Sequence, residues 1–335
     1  MASGHMIAAT RHGFRLSLDT LGGDYCFISH AHSDHSSAAR ARDARIIASP
    51  ETAALLGYGG ALHSVEGAQM HNAGHILGST QLLIDTPEGR LLYTGDLKTE
   101  DSLTAKGASP VECDTLVVEG TFANPSVKFQ KREEIYLQIA DWVGKSSRDG
   151  ITVLGGYALG KSQELIKVLN DMCGITPVVP QSVMRFCTVY NRFGAGLECV
   201  LSTSPEGQQI MEGDFVAVIP QSHVTRVFAK KMSQVHNAQV RTAIATGWAA
   251  IRQFDTDASF ALSDHADFES LLSYVRATGA KKVYCVHGNE HRFAAEIGKR
   301  LGIEAIAHYP RTRRVETARA RARRKTAERE EGNGQ

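Results

Sequence analysis

The sequence predicts an α/β fold, because short apolar segments rich in β-branched residues alternate with segments of helical periodicity. Clusters of His and Asp follow several of the predicted strands, which is where α/β folds place their binding residues. The chain has 335 residues and is therefore long enough for two domains, each with its own core. These observations predict two α/β units with a polar site at the ends of their strands.

The densest polar cluster is residues 30–35, with the sequence His-Ala-His-Ser-Asp-His. Residues 25–29 predict a buried strand before it, and the small residues 36–39 after it are typical of a helix start. Histidine and aspartate are ligands of first-row metals, and burying so many polar groups without a metal is costly. The cluster therefore predicts a metal-binding loop between a strand and a helix. A surface cluster of histidines without a metal is the alternative.

Three later segments each contain one more candidate ligand. His75 lies between glycines in residues 70–79, Asp96 ends the predicted strand 90–96, and His287 lies at the end of the predicted strand 281–288. A single His or Asp after a strand is commonly a capping or core residue. The three together, in this order after residues 30–35, predict additional ligands for the same metal site.

These segments resemble the motifs of the metallo-β-lactamase superfamily, and Asp19 is a looser match to its first aspartate. The resemblance narrows to the β-CASP nucleases, since Glu119 fits their acidic motif A, His265 their motif B and His287 their motif C. The match covers roughly residues 14–309. It implies an α/β fold made of a metallo-β-lactamase αββα sandwich with an inserted β-CASP α/β domain.

The resemblance implies two Zn²⁺ ions as cofactors, with Mn²⁺ as an alternative metal. The implied ligands form two sets and a bridge: His30, His32 and His75 for one ion, Asp34, His35 and His287 for the other, and Asp96 between them.

The resemblance also implies a reaction, in which a hydroxide shared by the two ions attacks a phosphodiester. His265 would protonate the leaving oxygen as general acid, and Glu119 would orient its imidazole and raise its pKa. Asp34 counts as a catalytic residue as well as a metal ligand.

Residues 155–161 follow a predicted strand at 151–154 and precede an amphipathic segment at 163–172. A glycine-rich turn before a helix offers free backbone N–H groups, so Gly160, Lys161 and Ser162 are candidate contacts for a substrate phosphate. The segment is similar to a β-CASP segment, Ala-Leu-Gly-Arg-x-Gln-Glu, in which Lys161 replaces the arginine. The alternative is that the glycines only permit close packing of helix on sheet.

The motif order predicts a discontinuous domain organisation. Residues 7–121 and 260–310 would form the metallo-β-lactamase domain, residues 122–259 the inserted domain, and residues 1–6 an expression scar. Residues 311–335 would form a basic tail with nine Lys or Arg and four Glu, a net charge of +5 (9 − 4) against +1 for the whole chain. The tail is interpreted as a solvated segment, and the alternative is an arm that binds phosphates non-specifically.

The composition indicates an ordinary soluble globular protein, with 42% hydrophobic and 22% charged residues. No apolar segment approaches the roughly 20 residues of a membrane span and no signal peptide is visible, so we expect no membrane partner. The six cysteines have no paired spacing, which favours reduced thiols and a cytoplasmic location.

The sequence-based hypothesis is a two-zinc phosphodiesterase that cleaves RNA or single-stranded nucleic acid, as an exonuclease or endonuclease in RNA processing or decay. His287 favours RNA, because RNA-processing members of the family carry histidine at motif C. Repair-associated bacterial relatives carry it too, so a DNA exonuclease in repair is one alternative. A second is a non-nuclease hydrolase of thioesters, lactones or lactams, and a third is a catalytically silent binding protein. The expected partners are RNA or single-stranded DNA, with a homodimer as a further expectation.

Overall fold

The computed structural model describes residues 6–308. Its sixteen strands are β1 Ile7–Ala9, β2 Arg15–Leu18, β3 Tyr25–Phe27, β4 Ile46–Ile47, β5 Ala68–Asn72, β6 Thr80–Thr86, β7 Gly89–Tyr93, β8 Thr115–Gly120, β9 Ile151–Gly156, β10 Val178–Val179, β11 Val200–Leu201, β12 Val216–Pro220, β13 Val240–Ala245, β14 Ala258–Phe260, β15 Lys282–Gly288 and β16 Glu304–Ala307. Its eight α-helices are α1 Pro50–Leu56, α2 Arg132–Ser146, α3 Lys161–Val168, α4 Gln181–Arg192, α5 Pro205–Ile210, α6 Arg226–His236, α7 Phe268–Ala277 and α8 Glu290–Leu301.

The predicted basic tail at 311–335 and residues 1–5 of the predicted expression scar lie outside the described residues. Met6, the last residue of that predicted scar, is buried in a hydrophobic core, and its carbonyl accepts a hydrogen bond from the backbone N–H of Leu18 at 2.9 Å. Met6 therefore packs as part of the fold, and the limits of the predicted scar stay a prediction.

Two of the three sheets pack face to face. One has the strand order β1-β2-β3-β4 and the other has the order β16-β15-β8-β7-β6-β5. Alternate apolar side chains of both sheets form a shared core, in which the rings of Phe27 and Tyr93 meet edge to face with centroids 6.2 Å apart. Helices α7 and α8 cover the outer face of the larger sheet through residues such as Phe268 and Phe293. The sandwich confirms the predicted α/β class.

The third sheet is built from strands between Ile151 and Phe260, in the order β11-β10-β12-β9-β13-β14, and all its strand pairs are parallel. Apolar clusters cover both of its faces, as expected for a parallel sheet with helical crossovers. The predicted helix at 163–172 is α3, which continues as a π-helical turn over Leu169–Cys173. The predicted limits of an inserted domain at 122–259 stay a prediction.

The third sheet and its helices pack directly on the loops of the sandwich. Ala31, Leu55 and Ile76 of the sandwich lie in the same apolar cluster as Leu159 and Tyr190. The backbone N–H of Leu77 also donates a hydrogen bond to the hydroxyl of Tyr190 at 3.3 Å. This contact places the start of α3 beside the loop that carries His75.

Three sheet edges meet at this contact. Strands β2 and β3 are parallel, as are β7, β8 and β15, and as are β9 and β13. Parallel strands present their carboxyl ends at one edge, and ligand sites in α/β sheets lie outside those ends. Most predicted site residues follow these carboxyl ends or lie at them. His75 follows β5 and His265 follows β14, which run in the same directions as β7 and β13. Across residues 6–308, no helix combines the length and apolar character needed to cross a bilayer.

Candidate metal centre and active site

The histidine-rich loop follows β3 and precedes a short 3-10 helix, Ser37–Arg40, which agrees with the predicted strand and helix start. His30 and His35 are buried, whereas the side chain of Asp34 is 78% exposed. Gly95 lies opposite this loop at a φ of +56°, and a Cβ there would lie 2.5 Å from the Cβ of Ser29. Only glycine therefore allows the turn that carries Asp96 to approach the histidine loop so closely.

Four predicted ligands converge on one point. Nδ1 of His32 lies 3.1 Å from Nε2 of His30 and 3.0 Å from Nε2 of His75. Oδ2 of Asp96 lies 3.5 Å from Nε2 of His30 and 3.6 Å from Nε2 of His75. Donor atoms about 2.0–2.2 Å from a tetrahedral zinc ion would lie about 3.3 Å from one another. The donor atoms of this cluster therefore fit a tetrahedral metal ion.

The second predicted set surrounds the other oxygen of the same carboxylate. Oδ1 of Asp96 lies 3.5 Å from Nε2 of His35, and Oδ2 of Asp34 lies 3.8 Å from that nitrogen. The ring of His287 lies 5.1 Å from the ring of His35, centroid to centroid. Asp96 thus directs one oxygen to each set, which is the arrangement a bridging carboxylate needs.

Hydrogen bonds determine which imidazole nitrogen of each histidine is available. Nδ1 of His30 faces the Ser29 hydroxyl at 3.0 Å, and Nδ1 of His75 faces the carbonyl of Asp264 at 2.9 Å. His32 is turned the other way, with Nε2 at 3.3 Å from the carbonyl of Leu159. A ring N–H donated to each oxygen leaves the opposite nitrogen unprotonated, so the lone pairs point into the cluster.

The carboxylate of Asp19 supports both ligand sets, His35 directly and His30 through Ser29. Its carboxylate accepts hydrogen bonds from Nδ1 of His35 at 2.7 Å, from the hydroxyl of Tyr93 at 2.8 Å, and from the backbone and hydroxyl of Ser29 at 2.6 Å. Because the Ser29 hydroxyl donates to Asp19, it is free to accept from His30. Asp19 has a φ of +53° and therefore a left-handed backbone. The looser motif match thus identified the residue that supports the ligand loop.

The electrostatics favour a bound cation. Burial and the neighbouring imidazoles lower the pKa of His30 and of His75 well below the usual range, so both rings are neutral. Burial likewise lowers the pKa of His32. His35 differs, since Asp96 and Asp19 overcome the effect of burial and raise its pKa to about 10. Neutral imidazoles beside carboxylates are a donor set that zinc binds.

Glu119 and His265 form a pair beside the ligands. Glu119 is the last residue but one of β8 and is fully buried. Its Oε1 accepts hydrogen bonds at 2.8 Å from the backbone N–H of Leu97 and from Nδ1 of His265. Its Oε2 accepts from the backbone N–H of Thr121 at 3.1 Å. Burial opposes the charge of Glu119, but the charge and hydrogen bond of His265 lower its pKa to about 2. The ring of His265 lies 4.5 Å from that of His75.

A cavity of about 300 Å³ opens over the two ligand sets and His265. Its lining combines the metal-ligand candidates with side chains of the third sheet: His32, Ser33, Asp34, His35, His75, Asp96, Thr121, Phe122, Tyr157, Lys161, Thr246, Gly247, Trp248, Leu262, Ser263, Asp264, His265 and His287. The structure therefore brings all predicted metal ligands, Glu119 and His265 to one place.

The predicted phosphate contacts are placed differently. Gly160, Lys161 and Ser162 are all buried, and the ammonium group of Lys161 donates hydrogen bonds to Glu164 at 2.7 Å and to Asp264 at 2.6 Å. The hydroxyl of Ser162 donates to the carbonyl of Tyr157 at 2.8 Å. These polar groups are already paired within the protein, so the geometry offers no support for the predicted phosphate contacts.

The position of Gly160 fits the packing alternative. Its φ is +90°, and a Cβ there would lie 2.6 Å from Cγ2 of Ile76. The glycine therefore allows the start of α3 to touch the loop of His75.

Sequence reasoning missed a buried charge network around Asp264. Arg132, near the start of α2, donates to Glu164 at 2.6 and 2.8 Å and to Asp264 at 3.2 Å. Two cations, Arg132 and Lys161, thereby balance two carboxylates, and their charges lower the pKa of Asp264 to about 2 against the effect of burial. Asp264 was visible as the neighbour of His265, but nothing in the sequence indicated Arg132 as its partner.

A site of this kind, two sets of His and Asp joined by one carboxylate on an αββα sandwich, defines the class of metallo-hydrolases. Residues 258–308 match a family model described as "Zn-dependent metallo-hydrolase RNA specificity domain". A "Probable DNA ligase" of Opitutus terrae is 35% identical over 306 residues, which cover 84% of this chain and 28% of the ligase.

Shorter matches agree with this class. An "RNase J-like protein" of Methanocaldococcus jannaschii is 28% identical over 106 residues, 31% of this chain and 25% of that protein. "Cleavage and polyadenylation specificity factor subunit 3" of Dictyostelium discoideum is 31% identical over 107 residues, 30% of this chain and 13% of that protein. The chain thus spans about a quarter or less of the length of these relatives.

A crystal structure of a protein of unknown function from Enterococcus faecalis shares the fold, with a TM-score of 0.57, 14% identity and coverage of 85% of this chain and 79% of that one. Together these similarities indicate the β-CASP nuclease family of the metallo-β-lactamase superfamily. The predicted family and fold are therefore confirmed.

Proposed function

We propose that this protein is a two-zinc phosphodiesterase that cleaves RNA or single-stranded nucleic acid. The observation that carries the proposal is the contact between His265 and the buried Glu119, beside the cavity that holds the ligand sets. Metal ligands alone would suit many hydrolases, whereas a phosphodiester also needs a proton for its leaving oxygen. His265 supplies that proton in the proposal.

The proposal includes two metal ions. His30, His32 and His75 would hold one ion, Asp34, His35 and His287 the other, and Asp96 would bridge them. The donor distances and the hydrogen bonds of His30 and His75 support the first ion. The approach of Asp34 and Asp96 to Nε2 of His35 supports the second. When bound, such a metal pair makes water nucleophilic near neutral pH and neutralises charge on the phosphodiester.

His265 is suited to donate a proton toward the cavity. Its Nδ1 is engaged by Glu119 at 2.8 Å, so Nε2 is the ring nitrogen left to face a substrate. Burial opposes protonation, but the carboxylate of Glu119 and its hydrogen bond overcome this and raise the pKa of His265 to about 9. The ring is therefore protonated at neutral pH, as a general acid must be.

Two alternatives differ in their support. The long match to a probable DNA ligase favours a DNA exonuclease in repair as a second candidate. The RNA specificity domain and the relatives named as RNases favour RNA as the substrate. A hydrolase of thioesters, lactones or lactams has no use for the pair of Glu119 and His265, which makes it the weaker reading. We further propose that the enzyme is cytoplasmic and acts as a homodimer.

Digestion of matched labelled substrates tests the proposal. RNA and DNA of one sequence, single-stranded and double-stranded and labelled at the 5′ end, are incubated with zinc- or manganese-loaded protein. We expect cleavage of the single strands, with mononucleotides indicating exonuclease action and a ladder indicating endonuclease action. His265→Ala should retain its metal and lose most turnover. Hydrolysis of a thioester or nitrocefin without cleavage of any nucleic acid would overturn the proposal.

A further inference from the structure

Two exposed aromatic rings lie at the carboxyl ends of adjacent strands above the candidate metal centre. Tyr157 follows β9 directly, and Trp248 lies in a 3-10 helix, Gly247–Ala250, just after β13. These strands pair in parallel, so both rings lie at the same sheet edge, and both line the cavity that holds the metal-ligand candidates. Tyr157 is 47% exposed and Trp248 is 37% exposed.

The backbone holds Trp248 in place although its ring is exposed. The hydroxyl oxygen of Thr246 accepts a hydrogen bond from the backbone N–H of Trp248 at 3.4 Å. Its ring lies 4.9 Å from the buried ring of Phe122, which in turn lies 5.9 Å from the ring of His265. A Cβ at Gly247 would lie 2.8 Å from Phe122, so glycine permits this close contact. Trp248 is thus linked by packing to the candidate general acid.

Tyr157 is held in the same way. Its carbonyl accepts hydrogen bonds from the backbone N–H of Ser162 at 3.0 Å and from the Ser162 hydroxyl at 2.8 Å. Ser162 is fully buried at the start of α3. The loop therefore presents the ring of Tyr157 from a fixed backbone, at little further entropic cost when a ligand packs against it.

A cation accompanies the tryptophan. The guanidinium carbon of Arg252 lies 6.0 Å from the ring centre of Trp248 and 4.7 Å from that of Phe254. Proteins that bind single-stranded nucleic acids combine exposed aromatic rings with nearby cations in this way.

We propose that Tyr157 and Trp248 stack on unpaired nucleobases of the strand that is cut. The inference rests on the proposed function and names its substrate class as unpaired strands. The metal-ligand candidates and His265 line the same cavity as the two rings, so the bases of a strand bound at these candidates would come within reach of the rings. Bases within a duplex are already stacked on one another and cannot offer their faces to both rings.

Binding to strands with and without bases tests this inference. The parent protein for these measurements is the zinc-loaded full-length chain carrying His265→Asn, a substitution that prevents turnover. Fluorescence anisotropy measures its Kd for a short oligoadenylate and for an abasic strand of equal length. The abasic strand keeps the phosphates and lacks the rings. We expect Tyr157→Ala and Trp248→Ala each to weaken oligoadenylate binding by between about 5-fold and about 100-fold, and to leave abasic binding unchanged.

Two control variants separate stacking from structural damage. Phe193 is also 37% exposed but does not line the cavity, so Phe193→Ala should bind both strands like the parent protein. Trp248→Phe should keep most of the affinity. It should also abolish the quenching of tryptophan emission by oligoadenylate, because Trp142, the other tryptophan, packs against Phe260 in the core.

The stacking proposal would be overturned if Tyr157→Ala and Trp248→Ala weakened binding of both strands equally. It would also be overturned if the parent protein bound oligoadenylate and the abasic strand with equal affinity. Hydrolysis by the protein without these substitutions is measured in parallel. Cleavage without any dependence on bases would leave the nuclease proposal standing and reject the stacking inference. Base-dependent binding without cleavage would support stacking and reject the proposed activity.

Discussion

Nδ1 of His265 donates a hydrogen bond to Oε1 of Glu119 at 2.8 Å, although the two residues are separated by 146 positions in the chain. Glu119 is completely buried at the end of β8, and backbone N–H groups of Leu97 and Thr121 hold its carboxylate in one orientation. A carboxylate fixed in this way determines the tautomer and the charge of the histidine above it. The proposed role of His265 therefore depends on a residue that does not line the cavity.

Glu119→Gln tests this dependence. Glutamine keeps the shape of the side chain and removes the charge that raises the pKa of His265, so the rate should fall by about 10²-fold or more at neutral pH. The acid form of His265 is lost as pH rises through its pKa. The basic limb of the pH–rate profile should therefore move to lower pH in the variant. Steady-state kinetics across pH measure both effects, with bound zinc determined on the same samples. An unchanged profile with full zinc content would contradict the assignment.

Asp19→Asn should weaken metal binding more than it affects the fold. Asp19 fixes His35 directly and His30 through Ser29, and losing such support typically reduces metal affinity by about 10- to 100-fold. Competition with a zinc chelator measures the affinity. Asp24→Asn is a matched control, because Asp24 accepts one backbone hydrogen bond from Arg15 at an exposed position. Equal zinc affinity in both variants would show that Asp19 does not position the ligands.

The sequence predicted the candidate ligands because each lies at or after the end of a strand, in a motif with a recognisable local pattern. The partners that orient those ligands carry no such pattern. The backbone carbonyls of Leu159 and Asp264 hold His32 and His75, and any residue type could supply a carbonyl. Lys161 illustrates the same limit, since a lysine in a glycine-rich turn suggests a phosphate contact until tertiary packing places two carboxylates against it.

Lys161→Met should destabilise the protein strongly. Removing one cation from the network leaves Glu164 and Asp264 with less compensation in a buried setting, and breaking a buried ion pair typically costs about 3–5 kcal/mol. Urea unfolding measures the free energy. Lys167→Met on the same helix is the control, because Lys167 pairs with Asp171 near the surface and should cost less than about 1 kcal/mol. A raised KM at unchanged stability would restore the predicted phosphate contact.

Gly160→Ala should disturb the junction between the third sheet and the metal centre. The left-handed φ of +90° alone disfavours alanine, and the added Cβ would also lie 2.6 Å from Ile76, beside the ligand His75. Gly174→Ala separates the two effects, because Gly174 has a φ of +64° but no atom within 4 Å of an added Cβ. We expect Gly174→Ala to cost about 1–2 kcal/mol in urea unfolding and to leave turnover and zinc affinity unchanged. Gly160→Ala should cost more and should also lower turnover, since the loop of His75 must move to admit the methyl group. If both alanines cost the same free energy and neither alters turnover, the close packing of α3 on this loop has no effect on the site.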